Sequence, residues 1–327
     1  LHELRPSCTN HRHDDMMEPY PLTFKPILVE KVWGGRTLEK FGKTLPPNKS
    51  IGESWELADL PESIPNGRSV IANGPLAGQT LDDHFPLLIK FLDACDNLSV
   101  QVHPSQEYAE KHPESHLKSE VWVILDSTPD GKIYIGLKEG TTEQELRASI
   151  ENDTVPKLLN AINVQKGECY YLPSGTCHAL GAGVLVAEVQ TPSDTTFRVW
   201  DWGRTGREMH VDQAMECIDF DSTPEESTTP IPMQCGPFET TLLVETPYFS
   251  AERITALNDA SMELVVDQTP AVLMVVEGHA TIEHACGVDA PLGTTVLLPV
   301  GLKNASILLQ EGTTVLRFDV PAQTLIA

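Results

Sequence analysis

The sequence has few of the features that mark a membrane or nucleic-acid-binding protein. No apolar run reaches the roughly 18 residues that a membrane-spanning helix requires. Lysine and arginine number only 23 against 47 aspartates and glutamates, which gives a formal net charge of −24. No basic run interrupts this excess, so we expect no binding to nucleic acid or to an anionic membrane. Residues 1–15 also lack the apolar segment of a secretory signal.

The sequence also lacks the cysteine pattern of a disulfide-bonded protein. The seven cysteines are odd in number and scattered, and no CxxC motif joins any two of them. This pattern predicts no disulfide framework and is typical of a protein that works in the reducing cytoplasm.

The chain is long enough for two domains of ordinary size, with 327 residues of which 40% are hydrophobic and 21% charged. Short alternating strands separated by Gly- and Pro-containing turns dominate it, so we predict a mainly β protein. We expect a flexible tail over 1–17, a catalytic domain over 18–220 with a small helical insertion at about 140–166, a Pro/Ser/Thr-rich linker over 221–236 and a C-terminal domain over 237–327.

One spaced motif occurs twice. The stretch from Gly167 to His178 follows the pattern G-x5-P-x-G-x2-H, and the stretch from Gly293 to Asn304 follows G-x5-P-x-G-x2-N. Each copy predicts a strand, a tight turn and a return strand. Two copies in one chain indicate two copies of one structural unit.

This motif resembles the second motif of the cupin superfamily, whose fold is a small jelly-roll barrel. The resemblance implies a bicupin, with two cupin-like barrels. In that superfamily the final histidine is a metal ligand, which falls on His178. The second copy has Asn304 there, and we expect Ala271 to stand where Glu120 stands in the first copy. We therefore predict one metal ion per chain, held by the first barrel.

The other candidate ligands lie on two strands upstream of the motif. Gln101 and His103 are two residues apart in "LSVQVHP", hence on one strand face, and Glu120 follows in "LKSEVWVIL". With His178 they offer two imidazoles and two oxygens, a set that suits zinc and also Fe(II), Mn(II) or Co(II). Taken singly, each histidine is more often structural than a ligand.

Two cations stand out in so acidic a chain. Arg198 lies between apolar and aromatic residues in "TTFRVWDWGR", and Lys118 precedes Glu120 by two positions. They could hold an anion or stabilise charge beside the metal. The structural alternatives are a buried pair of Arg198 with Glu188 or Asp194, and a solvated lysine.

At this point the chain resembles the type I mannose-6-phosphate isomerases in their short bacterial form, from about residue 20 to the C-terminus. The resemblance rests on six stretches in order, which are "WGG" at 33–35, "IGESWELAD" at 51–59, "LSVQVHP" at 98–104, "KSEVWVIL" at 118–125, "LPSGTCHALGAG" at 172–183 and "VQTPSDTTFRVWDWGR" at 189–204. One departure is Ser119, where many members have Pro or Thr.

The resemblance implies an enzyme that interconverts mannose 6-phosphate and fructose 6-phosphate through a cis-enediol, with one zinc ion per chain. The general base stays open between Glu188, a metal-bound water and a histidine. The implied metal ligands are Gln101, His103, Glu120 and His178; the implied catalytic residues are Arg198, Lys118 and Glu188; and the implied substrate-binding residues are Ser99, Lys118 and Arg198.

Two other functions share this motif set. A bicupin Fe(II) oxygenase would use a similar barrel, although such sites usually favour three histidines and a carboxylate over Gln101. A non-catalytic sugar-binding cupin would not need the ligands and cations together. The sequence does not indicate an oligomeric state.

Overall fold

The computed structural model describes residues 18–81, 85–221 and 230–322. The predicted tail over 1–17 and positions 222–229 of the predicted linker lie outside the described residues. The fold is mainly β, as predicted, with 42% strand and 11% helix. Within the described part of the chain, no helix is long and apolar enough to cross a membrane.

The strands are short and follow one another closely along the chain. They are, in order, β1 (Leu22–Lys25), β2 (Ile27–Gly35), β3 (Ile51–Leu57), β4 (Val70–Ile71), β5 (Leu88–Ala94), β6 (Val100–Val102), β7 (Glu120–Ser127), β8 (Lys132–Leu137), β9 (Leu159–Asn163), β10 (Cys169–Leu172), β11 (His178–Leu180), β12 (Val184–Gln190), β13 (Phe197–Trp200), β14 (Met233–Cys235), β15 (Phe238–Glu245), β16 (Ser250–Ala256), β17 (Ala260–Glu263), β18 (Ala271–Glu277), β19 (His279–Glu283), β20 (Val288–Pro291), β21 (Thr295–Leu298), β22 (Ser306–Leu309) and β23 (Thr314–Asp319).

These strands form four sheets, which pair into two sandwiches. The N-terminal sandwich combines a six-stranded sheet of order β10-β7-β12-β5-β2-β3 with a five-stranded sheet of order β13-β6-β11-β8-β9. The C-terminal sandwich combines an eight-stranded sheet of order β14-β15-β16-β23-β18-β21-β1-β4 with a four-stranded sheet of order β17-β22-β19-β20. Strands β1 and β4 come from the N-terminal part of the chain but pair with the C-terminal sheet, so the chain crosses between the two units.

Three apolar layers hold these sheets together. One cluster, which includes Leu92, Trp122 and Val186, lies inside the N-terminal sandwich, and a second fills the C-terminal sandwich. A third cluster joins residues of the six- and eight-stranded sheets, among them Phe91 and Phe318. Because burial of apolar area is the main stabilising term, this shared layer fixes the two sandwiches against each other.

Three short helices cover the outer face of the five-stranded sheet. They are α1 (Gln106–Lys111), α2 (Glu143–Glu151) and α3 (Val211–Cys217), and their apolar residues join a fourth cluster with that sheet. A capping box defines the start of α2, because the Thr142 hydroxyl accepts from Glu145 N at 3.2 Å and the Glu145 carboxylate accepts from Thr142 N.

The helical insertion is shorter than the predicted 140–166. After α2 there is only one 3₁₀ turn, Val155–Leu158, and Leu159–Asn163 is strand β9, antiparallel to β8. β9 is an edge strand of the five-stranded sheet, and Leu159 is its one buried residue. Pro156 at the start of the 3₁₀ turn has no N–H to donate to a helical hydrogen bond. In the predicted linker, Met233–Cys235 likewise form β14.

The two motif copies have the same strand register. Leu172 of β10 stands opposite Glu120 of β7, and Leu298 of β21 stands opposite Ala271 of β18. Ala271 therefore occupies the position of Glu120, as the sequence repeat suggests. The turn glycines agree as well, since Gly175 and Gly301 have φ of 88° and 77°, a conformation that favours glycine.

Candidate metal centre and active-site cavity

A cluster of potential metal ligands lies inside the N-terminal sandwich. His103 follows β6, His178 begins β11 and Glu120 begins β7, so the two facing sheets both contribute. One ligand atom from each of the three side chains lies within 4.8 Å of the others, and all three residues are buried. The structure thus brings together the carboxylate and both imidazoles that the sequence singled out.

Both imidazoles direct their Nε2 atom toward Glu120. His103 Nε2 is 3.4 Å from Glu120 Oε2, and His178 Nε2 is 3.2 Å from Glu120 Oε1. On the far side of each ring, Nδ1 meets a carbonyl oxygen, that of Thr195 at 3.1 Å and that of Thr176 at 2.8 Å. Since a carbonyl only accepts, each Nδ1 must donate, so each Nε2 carries a lone pair on the side that faces Glu120, where a cation could bind.

The electrostatics also suit a cation. Burial, and next the charge of Lys118, lower the pKa of His103 to about 3, so this imidazole is neutral. Burial works against ionisation of Glu120, but the charge of Lys118 opposes it, and the pKa of this carboxyl lies well below its ordinary value. Metal binding needs this combination of a neutral imidazole and an ionised carboxylate.

Glu120 is the least satisfied polar group of the cluster. Both of its oxygens are buried and neither accepts a well-directed hydrogen bond. The Lys118 ammonium lies 2.8 Å from Glu120 Oε2 and 3.1 Å from His103 Nε2. A single ammonium thus neutralises a carboxylate whose remaining lone pairs face the imidazoles. The residues present therefore fit a divalent metal ion.

Gln101 completes the predicted set. Its position in β6 lies between His178 on β11 and Arg198 on β13. The Gln101 amide nitrogen is 3.3 Å from His178 Nε2, and its Oε1 is 3.4 Å from the hydroxyl of Ser99. The amide side chain therefore borders the same centre, and a half-turn of the amide would direct its oxygen there.

A cavity of about 280 Å³ opens directly beside the centre. This volume is just below the usual range of roughly 300–1,000 Å³ for small-molecule sites and suits a small ligand. Five of the lining side chains are cationic and three are anionic, the reverse of the balance in the whole chain. The charged lining residues are Lys31, Lys90, Lys118, Arg198, Arg207, Glu53, Glu188 and Asp194.

All five remaining predicted residues reach this cavity, which is lined by Ser99, Gln101, Lys118, Glu188 and Arg198. Lys118 is not the solvated lysine of the structural alternative, because its side chain is only 6% exposed. Arg198 is not held in a carboxylate pair either, since its guanidinium forms no ion pair within the described residues. One of its terminal nitrogens donates to the Glu208 carbonyl, and its buried Nε has no partner.

Glu188 stands between two donors on neighbouring strands. In the six-stranded sheet it pairs across with Lys90 of β5 and with Trp122 of β7. Its Oε1 is 2.8 Å from the Lys90 ammonium, and its Oε2 accepts from the Trp122 indole at 2.7 Å. Burial, followed by the charge of Glu120, raises the pKa of Glu188 in spite of Lys90.

Sequence reasoning missed several cavity residues. Lys90 bridges Glu188 and Glu53, and Lys31 lies 2.8 Å from Glu53. Burial opposes ionisation of Glu53, but Lys90 and Lys31 hold its pKa at about 2. The available signal was "IGESWELAD", a distinctive stretch that contains Glu53, and Lys90 inside the otherwise apolar "PLLIKFL". Arg207, which binds Asp201 at 3.0 Å, was also missed.

Taken together, the cavity offers three kinds of chemistry. A metal bound at its wall would be a Lewis acid, excess cations attract an anion, and buried carboxylates with different pKa values provide groups for proton transfer. This combination suits catalysis on a small anion.

Comparison with known proteins gives close relatives. Residues 22–122 match the family model described as "Phosphomannose isomerase type I, catalytic domain". Mannose-6-phosphate isomerase ManA of Bacillus subtilis (strain 168) is 38% identical over 309 residues, which cover 88% of this chain and 95% of the relative. A mannose-6-phosphate isomerase of Streptococcus mutans is 33% identical over 283 residues, 80% of this chain and 87% of the relative.

Solved structures of mannose 6-phosphate isomerases have a similar fold. The crystal structure of the mannose 6-phosphate isomerase from Bacillus subtilis superposes with a TM-score of 0.80 at 29% identity, covering 91% of this chain and 99% of that one. A mannose 6-phosphate isomerase bound with zinc and yttrium shares the fold, with a TM-score of 0.66 at 17% identity over 92% of this chain and 99% of that one.

Proposed function

The chain belongs to the type I mannose-6-phosphate isomerases, and from this premise we propose that it interconverts mannose 6-phosphate and fructose 6-phosphate through a cis-enediol, with one zinc ion held by Gln101, His103, Glu120 and His178. The observation that carries the proposal is the buried His103–Glu120–His178 cluster. Its neighbours Gln101 and Lys118 line a cation-rich cavity. Of the metals that suit such ligands, zinc is also the one named for a structural relative.

The charge of the cavity supports a phosphorylated sugar. A protein of net charge −24 repels a dianion at long range. The surplus of cationic side chains in the lining reverses this sign locally. We assign Arg198 and Lys118 to the substrate, because both reach the cavity and the Arg198 guanidinium has no carboxylate partner in the described part of the chain. Ser99, which is buried and lines the same space, contributes a hydroxyl.

The metal would supply Lewis acidity toward a sugar oxygen. The residues around it bind the substrate and transfer its proton. Lys118 is free to donate to sugar oxygens once Glu120 serves as a ligand. Arg198 opposes the negative charge that develops as the C2 or C1 proton leaves.

We assign the proton transfer to Glu188. Two buried carboxylates line the cavity, Glu53 and Glu188. With a pKa of about 2, Glu53 is a weak base at neutral pH. The pKa of Glu188 is raised instead, which brings it closer to the value that general base catalysis requires. Lys90 and Trp122 fix the Glu188 carboxylate in place, and its other lone pairs remain for the substrate.

The experiment is an anaerobic assay of purified protein with mannose 6-phosphate, coupled to the consumption of fructose 6-phosphate. We expect turnover without oxygen, and much weaker turnover of unphosphorylated mannose. An Fe(II) oxygenase would require oxygen, and a sugar-binding protein would bind mannose 6-phosphate without converting it. Either result would refute the proposal.

A further inference from the structure

Glu53 is a buried carboxylate of the active-site cavity that has no part in the proposed proton transfer. Its side chain is 9% exposed, and a pKa of about 2 makes it a poor base at neutral pH. An ionised carboxylate is costly to bury, because it loses its hydration. The contacts of Glu53 indicate what this charge does in the cavity.

A row of side chains crosses four strands along one wall of the cavity. In the six-stranded sheet, Lys90 of β5 stands opposite Trp55 of β3 on one side and opposite Glu188 of β12 on the other. Glu188 in turn stands opposite Trp122 of β7. All four side chains line the cavity. Residues directly opposite each other on neighbouring strands have Cβ atoms about 5 Å apart, so this register places Lys90 beside Glu188.

Glu53 approaches the same lysine from β3. The Lys90 ammonium is 2.8 Å from Glu188 Oε1 and 3.7 Å from Glu53 Oε2, so a single cation lies between two carboxylates. Burial opposes the charge of Lys90, but Glu188 and next Glu53 raise its pKa above the ordinary value. Lys90 is therefore charged, and its position balances the attraction of Glu188 against that of Glu53.

Both carboxylates are held by the same kinds of donor. The Trp122 indole donates to Glu188 at 2.7 Å, and the Trp55 indole donates to Glu53 at 2.7 Å. On its other oxygen, Glu53 meets the ammonium of the half-buried Lys31 at 2.8 Å. Because charge-assisted and indole hydrogen bonds act on both of its oxygens, Glu53 is a fixed anchor for its neighbours.

We propose that Glu53 is a positioning residue of the isomerase reaction, which holds the Lys90 ammonium where it orients the Glu188 carboxylate toward the substrate. The inference rests on the proposed function, in which Glu188 transfers the proton. Without the charge of Glu53, Lys90 is drawn fully to Glu188, and the carboxylate moves with it. A reacting group that is misplaced by about 1 Å can cost about 10²-fold in rate, so turnover is sensitive to this contact.

The test compares Glu53→Gln with the parent protein on mannose 6-phosphate that carries either hydrogen or deuterium at C2. Glutamine keeps an acceptor oxygen for the Trp55 indole but has no charge to hold Lys90. We expect kcat to fall about ten-fold or more while KM changes little. The isotope effect on kcat should be at least as large as in the parent, because proton transfer is the step that slows. In a Lys90→Met background, Glu53→Gln should lower kcat no further.

Glu56→Gln is the matched control. Glu56 lies on the same strand, and its side chain is 4% exposed and pairs with Lys43 at 2.6 Å, but it does not line the active-site cavity. This variant also loses a buried carboxylate that is paired with a lysine. Under conditions where urea unfolding shows all variants to be folded, it should keep the kcat and the isotope effect of the parent.

Several outcomes would overturn the inference. An unchanged kcat in Glu53→Gln, or a loss confined to KM, would show that Glu53 does not position the base. A smaller isotope effect would show that another step has slowed, and a further fall of kcat in the Lys90→Met background would show that Glu53 acts without Lys90. An equal loss of kcat in Glu56→Gln would assign the effect to stability. All of these results leave the activity of the parent intact, whereas a parent that does not convert mannose 6-phosphate would refute the proposed function itself.

Discussion

Removal of the Arg198 side chain separates a catalytic role from a structural one. In the described part of the chain, the Arg198 guanidinium has no carboxylate partner, and its one hydrogen bond runs to the Glu208 carbonyl. Arg198→Ala should therefore cost about 1 kcal/mol of folding free energy, the usual value for one hydrogen bond. Loss of half of a buried ion pair would cost about 3–5 kcal/mol instead.

The effect on turnover should be much larger. Loss of one charge-stabilising donor lowers the rate by about 10²-fold or more, so kcat/KM for mannose 6-phosphate should fall by at least that factor while metal content is unchanged. A loss in kcat would assign Arg198 to the enediolate, and a rise in KM alone would assign it to the phosphate.

Arg253→Ala is the matched control for this variant. Arg253 is also half-buried and also donates to one backbone carbonyl, that of Gly167 at 2.8 Å, but it lies on β16 of the C-terminal sandwich. Urea unfolding, metal analysis and the coupled assay should show similar small stability losses for the two variants and a rate loss for Arg198→Ala alone. An Arg198→Ala protein that keeps its full kcat/KM would refute the assignment.

Three further results are expected. His178→Ala should lose bound metal and activity together, measured by elemental analysis beside the coupled assay, and a variant that keeps both would exclude His178 as a ligand. The pKa of Glu53 is about 2 in the folded protein against 4.5 in the unfolded chain, so its ionised carboxylate contributes about 3 kcal/mol to the free energy of unfolding above pH 4.5. In urea unfolding, the difference in stability between the parent and Glu53→Gln should shrink as the pH falls from 4.5 toward 2. A difference that stays constant with pH would contradict this. Lys90→Met leaves Glu188 without its nearest cation and should destabilise the fold by about 3–5 kcal/mol, while an unchanged urea midpoint would show that the pair is not stabilising.

Part of the candidate ligand cluster could be predicted because the spacing of its residues is local. Gln101 and His103 share a face through the two-residue period of a strand, and the turn around Gly175 fixes where His178 begins its strand. That these segments meet Glu120 followed from the resemblance and the repeat. The prediction that Ala271 stands at the position of Glu120 came from the repeat alone, and the pairing of Ala271 with Leu298 agrees with it.

The partners of Glu188 could not be predicted in this way. Lys90 and Glu188 are nearly one hundred positions apart and become neighbours only through the pairing of β5 with β12. Strand pairing between distant segments leaves little trace in a single sequence. The role of a lysine within an apolar strand therefore stays unknown until the structure shows which carboxylates lie next to it. For the same reason the sequence could not predict the pairing of β1, an N-terminal strand, with β21 of the C-terminal sandwich.

We propose that one metal ion in the N-terminal sandwich supports isomerisation. The most direct test of this proposal is a zinc titration of chelator-stripped protein, with mannose 6-phosphate turnover and bound metal measured on the same samples. We predict that activity rises in proportion to bound zinc and reaches its maximum at one ion per chain. Full activity in protein shown to be free of metal, or no activity in protein that holds one zinc ion per chain, would contradict it.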